Sequence, residues 1–250
     1  MRETRLVMGM PVTIAIAEAA ATQAEIEVVF EYFAQIDARF SPFKPDSEIS
    51  RLNRGELAAE DYSSELREIL VLAEQTKIQT NGYFDIVRPD GVLDPCGIVK
   101  GWAIRNAARM LARMGYGNFF VDAGGDIQAS GRNARGEDWR VGIRSPFHPD
   151  KMVKILVPRG RGVATSGTYL QGQHIYDPHG SERDGDTPEI VSLTIIGPDV
   201  LEADRYATAA FAMGRGGITF IESLAEFEAY EIDASGMARM TSGLGDHLAC

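Results

Sequence analysis

Asp204 and Thr208 stand four residues apart in the stretch "EADRYAT", a carboxylate followed by a hydroxyl. In an α-helix that spacing puts both oxygens on one face. Two descriptions fit the pair. Acidic residues in a first helical turn complement the helix dipole, and a threonine inside a helix often bonds back to its own backbone. Alternatively, the two oxygens hold something between them. A second stretch, "DPCGIVKGWA", places Asp94, Gly97 and Lys100 at the opening of a helix, where free N–H groups and the dipole favour an anion. It reads equally as a capped helix with a solvated lysine.

Three further stretches carry reactive or ring-bearing side chains. "ATSGTYLQGQHIYDPHG" (164–180) offers hydroxyls, His174 and an Asp–Pro turn, or else a hairpin with a polar rim. "SPFKPDSEISRLN" (41–53) sets Phe43 in a loop, either as a core anchor or as a ring that stacks on a planar ligand. "DAGGDIQASG" (122–131) reads as a tight turn between strands, with Gly124 and Gly125 at positive φ. The chain contains no G-x-x-x-x-G-K-[ST], H-E-x-x-H or G-x-S-x-G, and no G-x-G-x-x-G at a strand-to-helix turn, which excludes the sites those patterns build.

The elements that must position these residues follow from hydrophobic period. Ile26, Val29, Phe30, Phe33, Ile36 and Phe40 recur at threes and fours, predicting an amphipathic helix over 21–40. A short helix starts at Ser47, and a second long one contains Leu66, Ile69, Leu70 and Ala73 and ends at "NGY" (81–83). A third is expected over 99–114, stopped by Gly115 and Gly117. "NFFVDAGG", "DWRVGIR", "MVKILVP", "GVATSG" and "IVSLTIIG" read as short strands of a mostly antiparallel sheet. Helices over 201–213 and 217–224, then "FEAYEID" and "MARMTSG" as strands, complete the chain. This order predicts an α+β fold, one domain over residues 1–250, with a mostly antiparallel sheet core and flanking helices.

The bulk properties narrow the function classes. The 250 residues are enough for a full core, with 44% hydrophobic and 24% charged residues. A formal charge of −11 and the lack of a Lys/Arg stripe argue against nucleic acid. Cys96 and Cys250 form no C-x-x-C pair, so neither a zinc knuckle nor a disulfide framework is indicated. The N-terminal "MRETRLVMGMPVTIAIAEAAA" has the charge and small-residue end of a secretory signal, but Gly9 and Pro11 interrupt it and "VTIAIA" alternates as a strand does. The strand is the preferred reading, and no transmembrane segment is expected.

Taken together, "MGMPV", "SPFKPDSEISRLN", "GYFDI", "DPCGIVKGWA", "VDAGGDIQASG", "ATSGTY…HIYDPHG" and "EADRYATAAFAMG" resemble, in order, the signatures of the FAD:protein FMN transferases, the ApbE family. The resemblance spans residues 8–214. It implies that FAD, as substrate, is cleaved at its pyrophosphate with Mg²⁺, and that FMN passes to a Ser or Thr of an acceptor flavoprotein. By the same resemblance Asp204, Thr208 and the Gly97 carbonyl are metal ligands, and Asp94 and Lys100 contact FAD around the metal loop. His174 stands beside the transferred group, where an imidazole is suited to take the acceptor hydroxyl's proton. Met8, Phe43, Tyr83, Phe84, Asp85 and Ile175 match flavin- or adenosine-facing positions, Asp85 being equally a structural turn acid. Met10, Val87, Cys96 and Val99 depart from the usual pattern and bear on the flavin pocket. A Mg²⁺-dependent FAD diphosphatase is the alternative, and a non-catalytic flavin-binding module a third. The resemblance also makes a cytoplasmic protein the expectation, or an exported one whose signal is absent from this chain.

Overall fold

The computed structural model describes residues 1–148, 150–167 and 189–249. The chain opens with a hairpin, β1 (Arg2–Val7) and β2 (Met10–Ile16), whose turn puts Met8 at φ 55° and Gly9 at φ 71°. Three helices follow: α1 (Gln23–Phe40), α2 (Glu48–Asn53) and α3 (Ser64–Gln79). Local signals set their starts. The Thr22 N–H donates to Glu25 at the head of α1, and Ser47 and Ser63 cap α2 and α3 through their hydroxyls. The Glu48 carboxylate then accepts from the N–H and hydroxyl of Ser63, tying α2 to the start of α3.

Helix α4 (Cys96–Arg113) leads into the sheet: β3 (Phe119–Ala123), β4 (Asp126–Ser130), β5 (Val141–Arg144), β6 (Met152–Leu156), β7 (Gly162–Gly167) and β8 (Ile190–Gly197). Helices α5 (Val200–Ala212) and α6 (Gly216–Glu222) and strands β9 (Glu228–Asp233) and β10 (Ala238–Met240) end the fold. The expected α+β architecture is present. Its main sheet runs β1-β2-β3-β4-β7-β8-β9-β10, and every strand pair among the described residues is antiparallel. Strands β5 and β6 do not join it but pair with each other as a separate two-stranded sheet.

All six apolar positions read as the face of α1 are buried. They pack with Ile14 and Ile16 of β2, Val121 of β3 and Trp102, Ile104 and Leu111 of α4 in one core cluster. A second cluster joins Ala203, Ala207 and Ala210 of α5 and Ile218 and Ile221 of α6 to Ala164, Leu193 and Ile195. Alternate residues on the same strands, Val163 and Ile196, meet Val141, Ile143 and Leu156 of the small sheet instead. Strands β7 and β8 are therefore covered on both faces, which explains why "IVSLTIIG" reads as a nearly continuous apolar run. No helix of the described residues is long and apolar enough to cross a membrane.

Several boundaries differ from the sequence expectation by one to three residues, two of them with a bearing on the site or the sheet edge. Helix α4 begins at Cys96, three residues before the apolar period becomes visible, with Pro95 in the flanking position. The last strand keeps only Ala238–Met240 of "MARMTSG".

Candidate functional site

The site is built on the contact between α4 and α5. The two helices run antiparallel, and small residues on α4 face oxygen-bearing residues on α5. A Cβ placed on Gly97 would lie 3.3 Å from Phe84 Cε2 and 3.6 Å from Thr208 Cγ2. One turn further along α4, a Cβ on Gly101 would lie 2.8 Å from Asp204 Cβ and 3.0 Å from the Leu201 Cα. Glycine is thus required at 101 by close helix approach, not by dihedral angle. The closeness has a polar consequence: the Gly101 N–H donates to Asp204 Oδ2 at 2.8 Å.

The segment entering α4 is held from several sides. Asn53 bonds both the carbonyl and the N–H of Leu93, each at 2.9 Å. The Asp94 N–H donates to the Ile86 carbonyl, and the Asp94 side chain accepts from the Cys96 N–H at 3.1 Å. Asp94 therefore shapes the loop that presents Gly97.

Asp204 is buried, 2% exposed, in the middle of α5. Its Oδ1 lies 3.4 Å from Lys100 Nζ, and the same ammonium lies 2.6 Å from Asp126 Oδ2. Asp126 is 1% exposed and opens β4, directly after the Gly124–Gly125 turn, where both glycines take positive φ. Its Oδ1 accepts from the Thr165 N–H at 3.0 Å, which fixes the carboxylate across β4 and β7. Two buried acids thus bracket one ammonium.

The electrostatics follow from burial and this bracket. Burial pushes the Asp204 carboxyl up to about 7; Lys100 opposes the rise and Asp126 reinforces it. For Lys100, burial works to lower the pKa, but Asp126 and Asp204 outweigh it and hold the ammonium charged.

With the geometry described, the residues expected from the sequence can be placed. Gly97, Lys100, Asp204 and Thr208 come together at the α4–α5 contact, with Asp94 in the adjoining loop. Met8 sits at the tip of the β1–β2 hairpin, half-buried. Phe43 is 89% exposed on the loop between α1 and α2, so it anchors no core. Phe84 is buried at 2% and its ring packs behind Gly97, while Tyr83 beside it is half-buried. Asp85 pairs with Lys77 at 2.6 Å and accepts from the Val87 N–H at 2.9 Å, which is the work of a turn acid. His174 and Ile175 lie outside the described residues.

Asp126 takes no role on sequence grounds. Its one signal is an acid directly after a glycine pair, at the start of a strand, which reads as part of the turn. Met10 packs on the turn between β3 and β4, where a Cβ on Gly124 would lie 3.0 Å from its sulfur.

The family model described as "ApbE family" matches residues 8–89 and 87–230, which covers most of the chain and every placed site residue. The chain belongs to the ApbE family. Among curated ApbE relatives, the FAD:protein FMN transferase of Klebsiella pneumoniae is 33% identical over 135 residues, covering 50% of this chain and 38% of the relative. The chain thus spans well under half of the length of the curated relatives it first matches. The FAD:protein FMN transferase of Vibrio cholerae is 25% identical over 257 residues, covering 80% and 75% of the two chains. The ApbE fold is also seen in the solved structure of the Thermotoga maritima ApbE protein, with a TM-score of 0.86 at 19% identity, covering 100% of this chain and 99% of that one. The flavin transferase ApbE of Vibrio cholerae has a TM-score of 0.82 at 21% identity over 99% of each chain. At such identities the structures establish the fold alone.

The donor set can be tested against a metal on its own chemistry. Among the described residues, no group of three or more His, Cys, Asp and Glu side chains is arranged as a ready cation cage. The side chains that α5 presents here, the Asp204 carboxylate and Thr208, carry hard oxygen donors, the donor type that a hard cation such as Mg²⁺ takes. Asp126, Asp204 and Lys100 form one buried cluster in which two carboxyl groups face a single ammonium.

Proposed function

We propose that this chain is a Mg²⁺-dependent FAD:protein FMN transferase. The observation that carries the reading is the α4–α5 contact. It packs Thr208 against Gly97 and the buried Asp204 carboxylate against Gly101, beside a lysine held between two acids. The family relationship supports FAD as the substrate, and in this reading the cluster receives its diphosphate.

In this reading Asp204, Thr208 and the Gly97 carbonyl hold Mg²⁺. When bound there, the ion would supply positive charge against the diphosphate oxygens. Lys100 is positioned to meet phosphate oxygens with a full positive charge, since its carboxylate partners keep it protonated. Asp94 fixes the loop before α4, so the Gly97 backbone is presented in one orientation. Phe84 closes the back of that loop against the core and excludes water from it. Among the described residues, exposed Phe43 and half-buried Tyr83 and Met8 are the apolar groups we assign to the flavin or adenine rings.

The reaction forms an oxygen–phosphorus bond from the acceptor hydroxyl to the FMN phosphate and breaks the bond to the AMP phosphate. AMP leaves, and the hydroxyl proton goes to a base, the role we assign to His174. Acceptor selection and the Mg²⁺ requirement belong to this proposal.

The deciding experiment incubates the chain with FAD, Mg²⁺ and a flavoprotein fragment carrying the acceptor threonine, and weighs the fragment. A gain equal to FMN less one water, lost when that threonine becomes valine, supports transfer. AMP released while several such fragments stay unmodified replaces the reading with an FAD diphosphatase.

A further inference from the structure

We propose that Asp126 is a positioning residue for the metal site: it draws the Lys100 ammonium away from Asp204 and so leaves the Asp204 carboxylate available to a divalent cation. The inference rests on the reading of Asp204 as a metal ligand.

Lys100 faces two carboxylates and is not shared equally. Its Nζ lies 2.6 Å from Asp126 Oδ2 and 3.4 Å from Asp204 Oδ1. The unequal distances have causes in the fold. Asp126 is held from the far side by the Thr165 N–H, so its Oδ2 is aimed at the lysine. It follows a two-glycine turn whose positive φ values let the chain enter β4 with the carboxylate buried. Asp204 accepts from the Gly101 N–H through Oδ2, and Oδ1 is the oxygen that faces Lys100. A metal and an ammonium therefore compete for that one oxygen. Attraction to Asp126 biases the competition by giving the ammonium a better place to be.

Asp126→Asn removes the bias with almost no change in volume. An amide does not balance an ammonium, and the four-carbon stem of Lys100 lets it settle on Asp204 as a one-to-one pair. A metal then has to displace a paired charge, so its affinity should fall at least tenfold. If Lys100 is the cause, removing it as well should restore the metal. Asp126→Asn with Lys100→Met carries the same formal charge in the cluster as the parent and no competitor.

The test measures Mn²⁺ binding to the full chain by loss of the free-ion electron paramagnetic resonance signal, with a thermal melt to verify folding of each variant. Expected are binding at least tenfold weaker in Asp126→Asn and a return to within about threefold of the parent in the double variant. Unchanged affinity in Asp126→Asn overturns the inference. So does a loss that Lys100→Met fails to restore, which would make Asp126 a ligand in its own right. Asp204→Asn separates the two levels of the argument. If it binds Mn²⁺ as the parent does, or if the parent takes none, the metal reading itself falls and this inference with it. If it abolishes binding while Asp126→Asn does not weaken it, only the positioning role is lost.

Discussion

Gly101→Ala adds one methyl group where α4 touches α5, and its effect can be worked out from the contact. The new Cβ would sit 2.8 Å from Asp204 Cβ and 3.0 Å from the Cα of Leu201. Ordinary carbon–carbon contact is about 3.5–4.0 Å, so the helices must separate by up to about 1 Å. The Leu201 atom is backbone, so no rotamer change removes the clash. Overpacking of this kind costs about 1–3 kcal/mol, against which alanine gains about 1 kcal/mol over glycine in a helix interior. The net loss is about 0–2 kcal/mol, or a fall of up to about 8 °C in melting temperature for a chain of this size. The site should suffer more than the fold. The bond from the Gly101 N–H fixes Asp204, and a displacement of about 1 Å at a reacting centre can cost about a hundredfold in rate. Calorimetric Mg²⁺ titration, FAD turnover and a thermal melt on the same preparation read the two effects. Gly216→Ala is the control, because nothing lies within 4 Å of a Cβ there. A Gly101→Ala chain with the parent's metal affinity and turnover would refute the argument that this contact positions Asp204.

Arg205→Leu should destabilise the chain by about 2–4 kcal/mol, since it strips a buried guanidinium from Thr76 at 2.8 Å, Gln79 at 2.9 Å and Glu202 at 3.0 Å and leaves Glu202 without its ion-pair partner. Urea unfolding gives the value, and a loss below about 1 kcal/mol would mean the network is dispensable. In the absence of metal, Asp204 should contribute stability that is lost as pH rises from about 4 to about 7. Burial raises the Asp204 carboxyl from the ordinary aspartate value of 3.8 to about 7 on folding, so the native state holds a proton there that the unfolded chain has released. Melts in chelator across that range should slope less for Asp204→Asn, and parallel curves for the two chains would contradict the shift. His174→Ala should keep FAD but slow FMN transfer by about a hundredfold or more, as loss of a general base does; a single-turnover rate equal to the parent's at neutral pH would remove His174 from the reaction.

The elements are legible where a single strong period governs them. In α1 six apolar positions at threes and fours predict a buried face, and all six are buried. The α+β order is readable because strands and helices occur in separate runs. Pairing is not: "DWRVGIR" and "MVKILVP" look like strands of the main sheet but form a sheet of their own, because a strand's pattern says which face is buried and not which neighbour it pairs with. The start of α4 escapes a reading by period because "DPCG" has no apolar repeat and its helical state depends on tertiary contact. At the site, the pair Asp204 and Thr208 is visible because both lie within one helix. Asp126 is not, since its partners Lys100 and Thr165 are distant in sequence and only the sheet brings them to it.

The spacing of Asp204 and Thr208 gains its meaning from α4. Gly97 and Gly101 repeat the same four-residue interval, and because the helices are antiparallel, Gly101 faces Asp204 while Gly97 faces Thr208. Each oxygen-bearing side chain on α5 therefore meets a position on α4 that has no side chain. The lack of a Cβ lets the helices close and brings α4 backbone within reach of α5 oxygens, as the Gly101 N–H to Asp204 bond demonstrates. Alanines at 203, 207 and 210 keep the neighbouring faces of α5 thin enough for the helix to lie close to the sheet as well. An isolated helix with an acid and a threonine one turn apart has no reason to bind anything. Opposite a matched glycine ladder, with Lys100 one residue from Gly101 and its charge held by Asp126, the same pair becomes part of one packed cluster of charged and polar groups.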